Sequence, residues 1–359
     1  MLRKVGKALI SLVLTLLLLE GFVRLTDLDR RRMGDPFANA EWALRYSVPD
    51  PYLQWRGRPG MELLRPAEFV NARGLRGPER PRRKAAGVER VAVLGDSCSF
   101  GIITSGPTRH ETPRPYAELL EELFAKNLGA GKVEVINYGM IGYTSYNGLR
   151  MLRREAIPDD PDFVVIRFGW NDHLASSVGH SFRNPRHAWQ EELLDLAYRS
   201  RLLGMLMYRG IPTGSAGAPP SPASAHPTPW VTPEDYAWNL SRMIDLARSH
   251  GAQPILLDAP AGPITPELRK REQFFRVSGY ETPEQFMAAH ARYQAITARV
   301  AAEKQVPLIR TADKLEGNGA YFSPIDPAHP NAEGHAVIAR RLYVSILESL
   351  MRSGAVSAP

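Results

Sequence analysis

The sequence of 359 residues contains one cysteine, Cys98. A single cysteine excludes an intramolecular disulfide and any zinc site built from several cysteines. The chain has no His-Glu-x-x-His sequence and no Gly-x-x-x-x-Gly-Lys-Ser/Thr loop, which excludes the zincin and P-loop patterns. It also has no Gly-x-Ser-x-Gly elbow, which disfavours an α/β-hydrolase fold. We therefore predict chemistry without a metal or a cofactor.

The body of the chain has no excess of basic residues once the N-terminal part is set aside. The formal net charge is +7, but residues 1–88 hold 17 Lys and Arg against 9 Asp and Glu. The remaining residues hold 28 against 29 and show no basic stripe with interleaved aromatic residues. This distribution disfavours a nucleic-acid partner.

The N-terminus has the pattern of a membrane-targeting segment. Basic residues at Arg3, Lys4 and Lys7 precede an apolar run over residues 8–19, and continuing to residue 25 gives the length of a membrane span. No Ala-x-Ala-like cleavage site follows the apolar run directly, so we predict an uncleaved signal-anchor over residues 1–25. A cleaved signal or a soluble amphipathic start are the alternatives.

The basic N-terminus favours export of the body, which predicts an extracytoplasmic location for it. If the segment is cleaved, the protein is secreted. Arginines beyond the apolar run, at 24 and 30–32, weaken this charge bias. Residues 26–88 are predicted to be an irregular wrapping segment or linker, with the run over residues 79–84 exposed to solvent.

From residue 89 the hydrophobic pattern alternates between strand and helix. The predicted strands are 90–95, 132–137, 163–168, 254–258 and 306–310. The predicted helices are 115–127, 144–156, 233–250, 283–304 and 331–350. This alternation predicts an α/β domain over residues 89–352, with a doubly wound five-stranded parallel sheet and helices on both faces.

An insertion over residues 174–230 interrupts the alternation. It contains an amphipathic stretch, 188–209, and a loop rich in Pro, Ser and Ala. A long loop beside a strand end is either functional or disordered. We favour a mobile lid or a flap that selects substrate.

Four polar motifs follow the predicted strands. They are Gly95-Asp96-Ser97, the block over residues 137–145, Gly169-Trp170-Asn171-Asp172, and Asp326-Pro327-Ala328-His329. The carboxyl ends of parallel strands open on one edge of the sheet, so we expect the four motifs to converge.

Together the motifs supply what acyl transfer requires: a nucleophile, a base, an orienting acid and donors for the oxyanion. We predict Ser97 as the nucleophile, His329 as the base and Asp326 as the acid that orients the imidazole. The backbone N–H groups of Ser97 and Gly142 and the side-chain amide of Asn171 are the predicted oxyanion donors.

These four motifs closely resemble those of the SGNH (GDSL) hydrolase family, over about residues 89–350. The resemblance implies a flavodoxin-like sheet, and it assigns the same roles to Ser97, Asp326, His329 and Asn171. For the glycine donor, Gly142 is preferred because it leads into a helix, although a second glycine lies in the same block at position 139. The anchor and the wrapping segment look like those of membrane-tethered bacterial members.

The resemblance implies a serine esterase that acts on lipids, small acyl esters or acetylated glycans. Two alternatives remain: an O-acetyltransferase for an extracytoplasmic polysaccharide, and an inactive protein that binds a glycan or a partner. Cys98 is an alternative nucleophile, although a small buried residue is the favoured interpretation. His173 and His335 are predicted to be structural, and the acidic cluster at residues 159–162 to be a solvated loop rather than a cation site.

Overall fold

A computed structural model of the chain describes residues 2–33, 46–65, 67–104, 110–176, 180–207 and 228–356. The chain divides into two compact units. The first comprises Met1–Arg56 and Pro185–Thr213, and the second comprises Gly57–Asn184 and Gly214–Pro359.

The strands within the described residues follow in chain order. They are β1 (Ser47–Asp50), β2 (Gln54–Gly57), β3 (Glu89–Gly95), β4 (Ile103–Thr104), β5 (His110–Glu111), β6 (Val133–Asn137), β7 (Phe163–Arg167), β8 (Gln253–Leu257), β9 (Leu308–Ile309), β10 (Phe322–Ser323) and β11 (Asp326–Pro330).

The α-helices of the same residues are α1 (Leu2–Thr26), α2 (Leu28–Met33), α3 (Ser97–Phe100), α4 (Tyr116–Leu128), α5 (Ser145–Met151), α6 (Ala188–Arg199), α7 (Arg201–Met207), α8 (Pro233–Ser249), α9 (Pro266–Arg269), α10 (Glu272–Val277), α11 (Pro283–Lys304), α12 (Ala312–Leu315) and α13 (Ala332–Ser353). A π-helical turn, Leu152–Ala156, continues α5, and 3-10 turns cover Ile157–Asp159 and Gly319–Tyr321.

The second unit contains a five-stranded sheet in the order β6-β3-β7-β8-β9. All neighbouring strands are parallel, with Val91 opposite both Val135 and Phe163. The first strand of the sheet therefore lies between the second and the third, which is the flavodoxin-like order. The predicted α/β fold is confirmed.

Helices cover the sheet because the side chains of a strand alternate between its two faces. Val91 and Val93 of β3 share a buried cluster with Leu120 of α4 and Leu342 of α13. Leu94 points to the other face and is also fully buried. That face is packed with α5 and α8, which contact β3 and β8, respectively.

The run over residues 79–84 is solvated only in part, since Arg82 and Arg83 are exposed while its other two basic residues are not. Arg80 forms ion pairs with Glu121 and Glu134, and Lys84 lies 2.5 Å from a carboxylate oxygen of Asp162. The basic run therefore lies against acidic side chains of the α/β body, and the expectation of free solvation is wrong for these residues.

In the acidic cluster at residues 159–162, Asp159 is packed, whereas the Asp160 side chain is 71% exposed. The Asp159 side chain is buried and accepts hydrogen bonds from Arg73 (2.6 Å), Arg82 (3.1 Å) and the Tyr138 hydroxyl (2.5 Å). Two guanidinium groups thus balance its charge. Among the residues that the structure describes, no group of three or more His, Cys, Asp or Glu side chains is arranged to hold a metal ion.

The first unit contains α1, which is long and apolar enough to be a membrane anchor or a signal sequence. Its segment Lys4–Thr26 has a mean hydropathy of 2.1 and is 6% buried. The same unit contains α6 and α7, which form the amphipathic part of the insertion. Most of the Pro-rich loop of the insertion, residues 208–227, lies outside the described residues.

Candidate active site

The Gly95-Asp96-Ser97 motif, which we name the nucleophile motif after the predicted role of Ser97, forms a tight turn between β3 and α3. Asp96 caps α3, and its carboxylate accepts the N–H of Cys98 at 2.9 Å. A Cβ at Gly95 would lie 2.0 Å from Ser99 Oγ, so only glycine fits there. α3 ends at Phe100 and is capped by Gly101, whose φ is +91°. The sequence therefore ends the buried strand and turns the chain within a few residues.

Ser97, His329 and Asp326 form a hydrogen-bonded chain. Ser97 Oγ lies 2.7 Å from His329 Nε2, and His329 Nδ1 lies 2.9 Å from both carboxylate oxygens of Asp326. The His329 side chain is 21% exposed and Ser97 is 8% exposed, so solvent reaches the Ser97 end of these hydrogen bonds. This arrangement allows the imidazole to take the serine proton while the carboxylate orients the ring.

Backbone N–H groups hold the Asp326 carboxylate in position. Asp326 accepts the N–H of Thr104 at 2.9 Å and those of Ala328 and His329 at 3.2 and 3.1 Å. Burial alone raises the pKa of Asp326, but His329 and these donors bring it below its ordinary value. For His329 burial has the largest single effect and lowers the pKa, but the charge and hydrogen bond of Asp326, together with the Asp96 charge, outweigh it and raise the pKa. The pair therefore favours a carboxylate beside an imidazole of increased basicity.

The three predicted oxyanion donors differ in the hydrogen bonds that they make. Asn171 Nδ2 donates one hydrogen to the carbonyl of Tyr143 at 2.9 Å, which leaves its second hydrogen available. The N–H of Ser97 lies at the first position of α3, where helices leave N–H groups without a partner. Within the described part of the chain, neither this N–H nor that of Gly142 has a backbone acceptor.

The two glycines of the second motif differ in what their N–H groups bind. The N–H of Gly139 is donated to Asn137 Oδ1 at 2.9 Å, and a Cβ at this residue would lie 2.7 Å from the backbone nitrogen of Phe100. Gly139 is therefore needed for close packing and its donor is used. Gly142 has a φ of +77°, in the left-handed region, at the turn before α5. These contacts favour Gly142 as the donor.

Asp172, beside Asn171, holds the third motif in place. Its carboxylate accepts the N–H and the hydroxyl of Ser145, at 2.9 and 2.6 Å, and the N–H of Gly169 at 3.1 Å. Burial raises the pKa of Asp172 to about 7, although the Ser145 donors oppose this shift. Asp172 thus connects the β7 turn that carries Asn171 to the start of α5.

Two buried arginines support the nucleophile turn, and no sequence motif indicated either of them. Arg76 donates to the carbonyls of Phe100 and Gly101, at 2.7 and 2.6 Å, and so binds the end of α3. Arg167 lies on β7 opposite Gly95, with a guanidinium nitrogen 3.7 Å from Asp96 Oδ1. A side chain from the segment before β3 and one from β7 therefore hold the turn from two sides.

Cys98, His173 and His335 lie outside the hydrogen-bonded chain and have structural contacts. Cys98 is buried, its Sγ contacts the Ala328 carbonyl at 3.2 Å, and burial raises its pKa well above the usual range. Buried His173 pairs with the Tyr280 hydroxyl at 2.9 Å. Buried His335 accepts the N–H of Tyr116 at 3.2 Å. A thiol with a raised pKa is a poor nucleophile at neutral pH.

Residues 93–337, which include all four motifs, match the GDSL-like lipase/acylhydrolase family. The chain belongs to this family. Its members are acylhydrolases, so the GDSL-like protein described here is an enzyme of ester chemistry. No curated protein matches the chain.

Solved structures of similar fold include other enzymes of this kind. A lipase/acylhydrolase from Enterococcus faecalis is 20% identical, with a TM-score of 0.45 over 73% of this chain and 97% of its own. A catalytic mutant of an acetylxylan esterase from Geobacillus stearothermophilus is 17% identical, with a TM-score of 0.42 over 72% and 94%. A GDSL-like lipase from Bacteroides thetaiotaomicron is 17% identical, with a TM-score of 0.40 over 73% and 89%.

Proposed function

We propose that this GDSL-like enzyme is a serine esterase that hydrolyses carboxylic esters at Ser97. The observation that carries the proposal is the hydrogen-bonded chain from Ser97 Oγ to His329 Nε2, at 2.7 Å, and from His329 Nδ1 to Asp326, at 2.9 Å. A protein that only bound a glycan or a partner would not need a serine, an imidazole and a buried carboxylate in this order. Acyl transfer needs all three.

In the first half of the reaction, Ser97 Oγ attacks the carbonyl carbon of the ester while His329 Nε2 takes the serine proton. The resulting oxyanion accepts hydrogen bonds from the N–H groups of Ser97 and Gly142 and from Asn171 Nδ2. When the tetrahedral intermediate collapses, the bond to the alcohol oxygen breaks and His329 returns the proton to the leaving alcohol. The acyl group remains on Ser97 as an ester.

In the second half, water attacks the acyl-Ser97 carbonyl and His329 takes a proton from that water. Collapse of the second intermediate releases the carboxylic acid, and the proton returns to Ser97 Oγ. Asp326 stays ionised in both halves and stabilises the imidazolium, in line with its lowered pKa. The substrate class that we propose comprises lipid, small acyl and acetylated glycan esters.

We further propose that α1 anchors the enzyme in a membrane, with the catalytic unit on the extracytoplasmic side. The support is the apolar segment Lys4–Thr26, which is 6% buried, and the basic residues Arg3, Lys4 and Lys7 at its N-terminal end. An ester-hydrolysing domain held in this way has access to esters of the membrane and of the cell envelope.

Turnover of p-nitrophenyl esters from acetate to octanoate tests the esterase proposal. We expect Ser97→Ala to lower kcat by about 10³-fold or more, because the attacking oxygen is lost. The matched control is Cys98→Ala, the neighbouring residue, which should retain activity near that of the parent. Loss of activity in Cys98→Ala with retention in Ser97→Ala would assign the nucleophile to the thiol and reject the proposal.

A further inference from the structure

The first unit has a second apolar surface besides that of α1. The large apolar side chains of α6 and α7 that are exposed are Trp189, Leu193, Leu196, Leu203, Leu206 and Met207. Trp189, Leu193 and Leu196 are 62, 58 and 63% exposed, and they recur at steps of four and three residues. This spacing places them on one side of the helix. An apolar stripe of this kind marks an interaction surface.

The other sides of α6 and α7 are already packed within the same unit. Tyr198 of α6 makes an edge-to-face contact with Tyr52, with the ring centroids 5.2 Å apart. Leu202 and Met205 of α7 form a buried cluster with Val23 of α1. The exposed apolar residues of α6 and α7, which we name the α6–α7 stripe, therefore lie on the sides of these helices that are not packed within the unit.

A carboxylate near the end of α1 binds the start of α7. Glu20 accepts the N–H groups of Arg201 and Leu202, at 3.0 and 2.9 Å, and the Ser200 hydroxyl at 2.7 Å. These N–H groups have no partner within α7, because they belong to its first turn. Glu20 thus caps α7 and fixes the helix to the last two turns of α1.

The Arg201 side chain strengthens this attachment just past the end of α1. Its guanidinium donates to Asp29 at 2.5 and 2.8 Å and to Asp27 at 2.6 Å. Charge-assisted hydrogen bonds of this kind are stronger than neutral ones and fix geometry. The position of α7 along α1 is therefore set by contacts at both Glu20 and the residues that follow Thr26.

The attachment lies at the depth of a membrane surface when α1 spans a bilayer. At 1.5 Å per residue, Glu20 lies roughly 20 Å along the helix axis from Lys7, and Arg24 roughly 26 Å, in a hydrocarbon core about 30 Å thick. The residues Glu20–Thr26 thus lie where the span approaches water. An amphipathic helix at this depth has its apolar side in the lipid and its tryptophan at the interface.

We propose that the α6–α7 stripe lies in the interface of the same bilayer and contacts lipid. The inference rests on the proposed anchoring by α1. The lipid bilayer is the occupant to which the structure points, because α7 is attached through Glu20 to a span whose own leucines are exposed, such as Leu17 and Leu18 at 62 and 75%. This contact with lipid gives α6 and α7, the helical part of the insertion, a role in holding the enzyme at the membrane surface.

Spin labels on the full-length protein in phosphatidylcholine–phosphatidylglycerol nanodiscs test this inference. A nitroxide is placed on Leu193→Cys or Leu196→Cys, and its collisions with oxygen and with a water-soluble nickel chelate are measured by power saturation. The matched control is Val344→Cys, an exposed apolar residue of α13 that is 53% exposed. Leu14→Cys reports on the span, and the parent protein, whose Cys98 is buried, gives the background.

We expect the ratio of oxygen to nickel collisions at residues 193 and 196 to be several-fold higher than at residue 344, and lower than that at residue 14, which lies near the middle of the span. A lipid-like ratio at residue 14 with a water-like ratio at residues 193 and 196 would overturn the inference and leave the anchor intact. Water-like ratios at all three sites would overturn both. Protection of residues 193 and 196 from both reagents would indicate a protein partner or a second copy and would also overturn the inference.

Discussion

At the scale of single residues, the proposed chemistry depends on the balance between burial and charge at His329. Burial lowers the pKa of the imidazole, while the charge and hydrogen bond of the Asp326 carboxylate, 2.9 Å from Nδ1, raise it together with the Asp96 charge, and the net shift is upward. The base must be neutral to accept the proton of Ser97, so activity increases as the pH rises through the pKa of His329. The direction of the shift places this increase above about pH 6.5, the ordinary value for histidine.

This balance makes a prediction for the pH profile of kcat/KM. In Asp326→Asn the charge that raises the His329 pKa is removed while burial remains, so the midpoint of the acid limb should move to lower pH. The rate should also fall by about 10²–10⁴-fold, because the imidazole loses its orienting carboxylate. Hydrolysis of p-nitrophenyl acetate between pH 4 and 9 measures both effects.

The matched control is Asp313→Asn, which removes a carboxylate that is 53% exposed and is paired with Arg341. We expect this variant to keep the parent profile. An acid limb with the same midpoint in the parent protein and in Asp326→Asn would contradict the proposed role of Asp326.

Some residues of the site could be predicted and others could not, for a physical reason. Ser97, Asn171, Asp326 and His329 lie in short motifs at strand ends, and the structure brings Ser97, Asp326 and His329 within hydrogen-bond distance of one another. Their roles remain proposals. Arg76 is different, because its contacts to α3 join residues 24 and 25 positions apart. No local pattern records such a contact.

At the scale of elements, the nucleophile helix α3 depends on contacts from outside its own sequence. α3 has four residues, fewer than a stable isolated helix needs. Its C-terminal carbonyls bind the Arg76 guanidinium, whose other nitrogens lie 2.9 Å from both carboxylate oxygens of Glu68. The segment before β3 is therefore part of the support of the active site.

Replacement of Arg76 by methionine tests this support. The Arg76 side chain is fully buried, so Arg76→Met leaves the carbonyls of α3 and the Glu68 carboxylate without that donor. Breaking a buried pair in this way costs about 3–5 kcal/mol. Urea unfolding of the purified protein should show a loss of this size.

The control for Arg76→Met is Arg299→Met, which breaks an exposed pair with Glu303 whose partners are each 54% exposed. Exposed pairs of this kind contribute up to about 1 kcal/mol, so the loss should be small. Equal losses of unfolding free energy in the two variants would contradict the support role of Arg76.

The elements of the sheet could be predicted because each strand is a short apolar run. β3, β6, β7 and β8 begin and end within one residue of their predicted limits, while β9 is only Leu308–Ile309. The predicted helix 144–156 is α-helical only to Met151 and continues as a π-helical turn. Hydrophobic periodicity does not distinguish these helix types, since both bury one face.

At the scale of the whole molecule, the excess of positive charge in residues 1–88 has a structural explanation in part. Arg73, Arg80, Arg82 and Lys84 pair with carboxylates of the α/β body. Because tens of residues separate these partners in the sequence, the sequence alone predicts a solvated run over residues 79–84. The helices α6 and α7 of the insertion fold in one unit with α1, and a lid function of the insertion stays a prediction.

The central claim is that Ser97 is an activated nucleophile, and labelling with a fluorophosphonate tests it most directly. The full-length protein is treated in detergent, and the modified residue is mapped by mass spectrometry. We predict modification at Ser97 that is lost after heat denaturation, because only the folded chain holds Ser97 Oγ against His329 Nε2. Label on another residue of the folded protein, or no label at all, would contradict the claim.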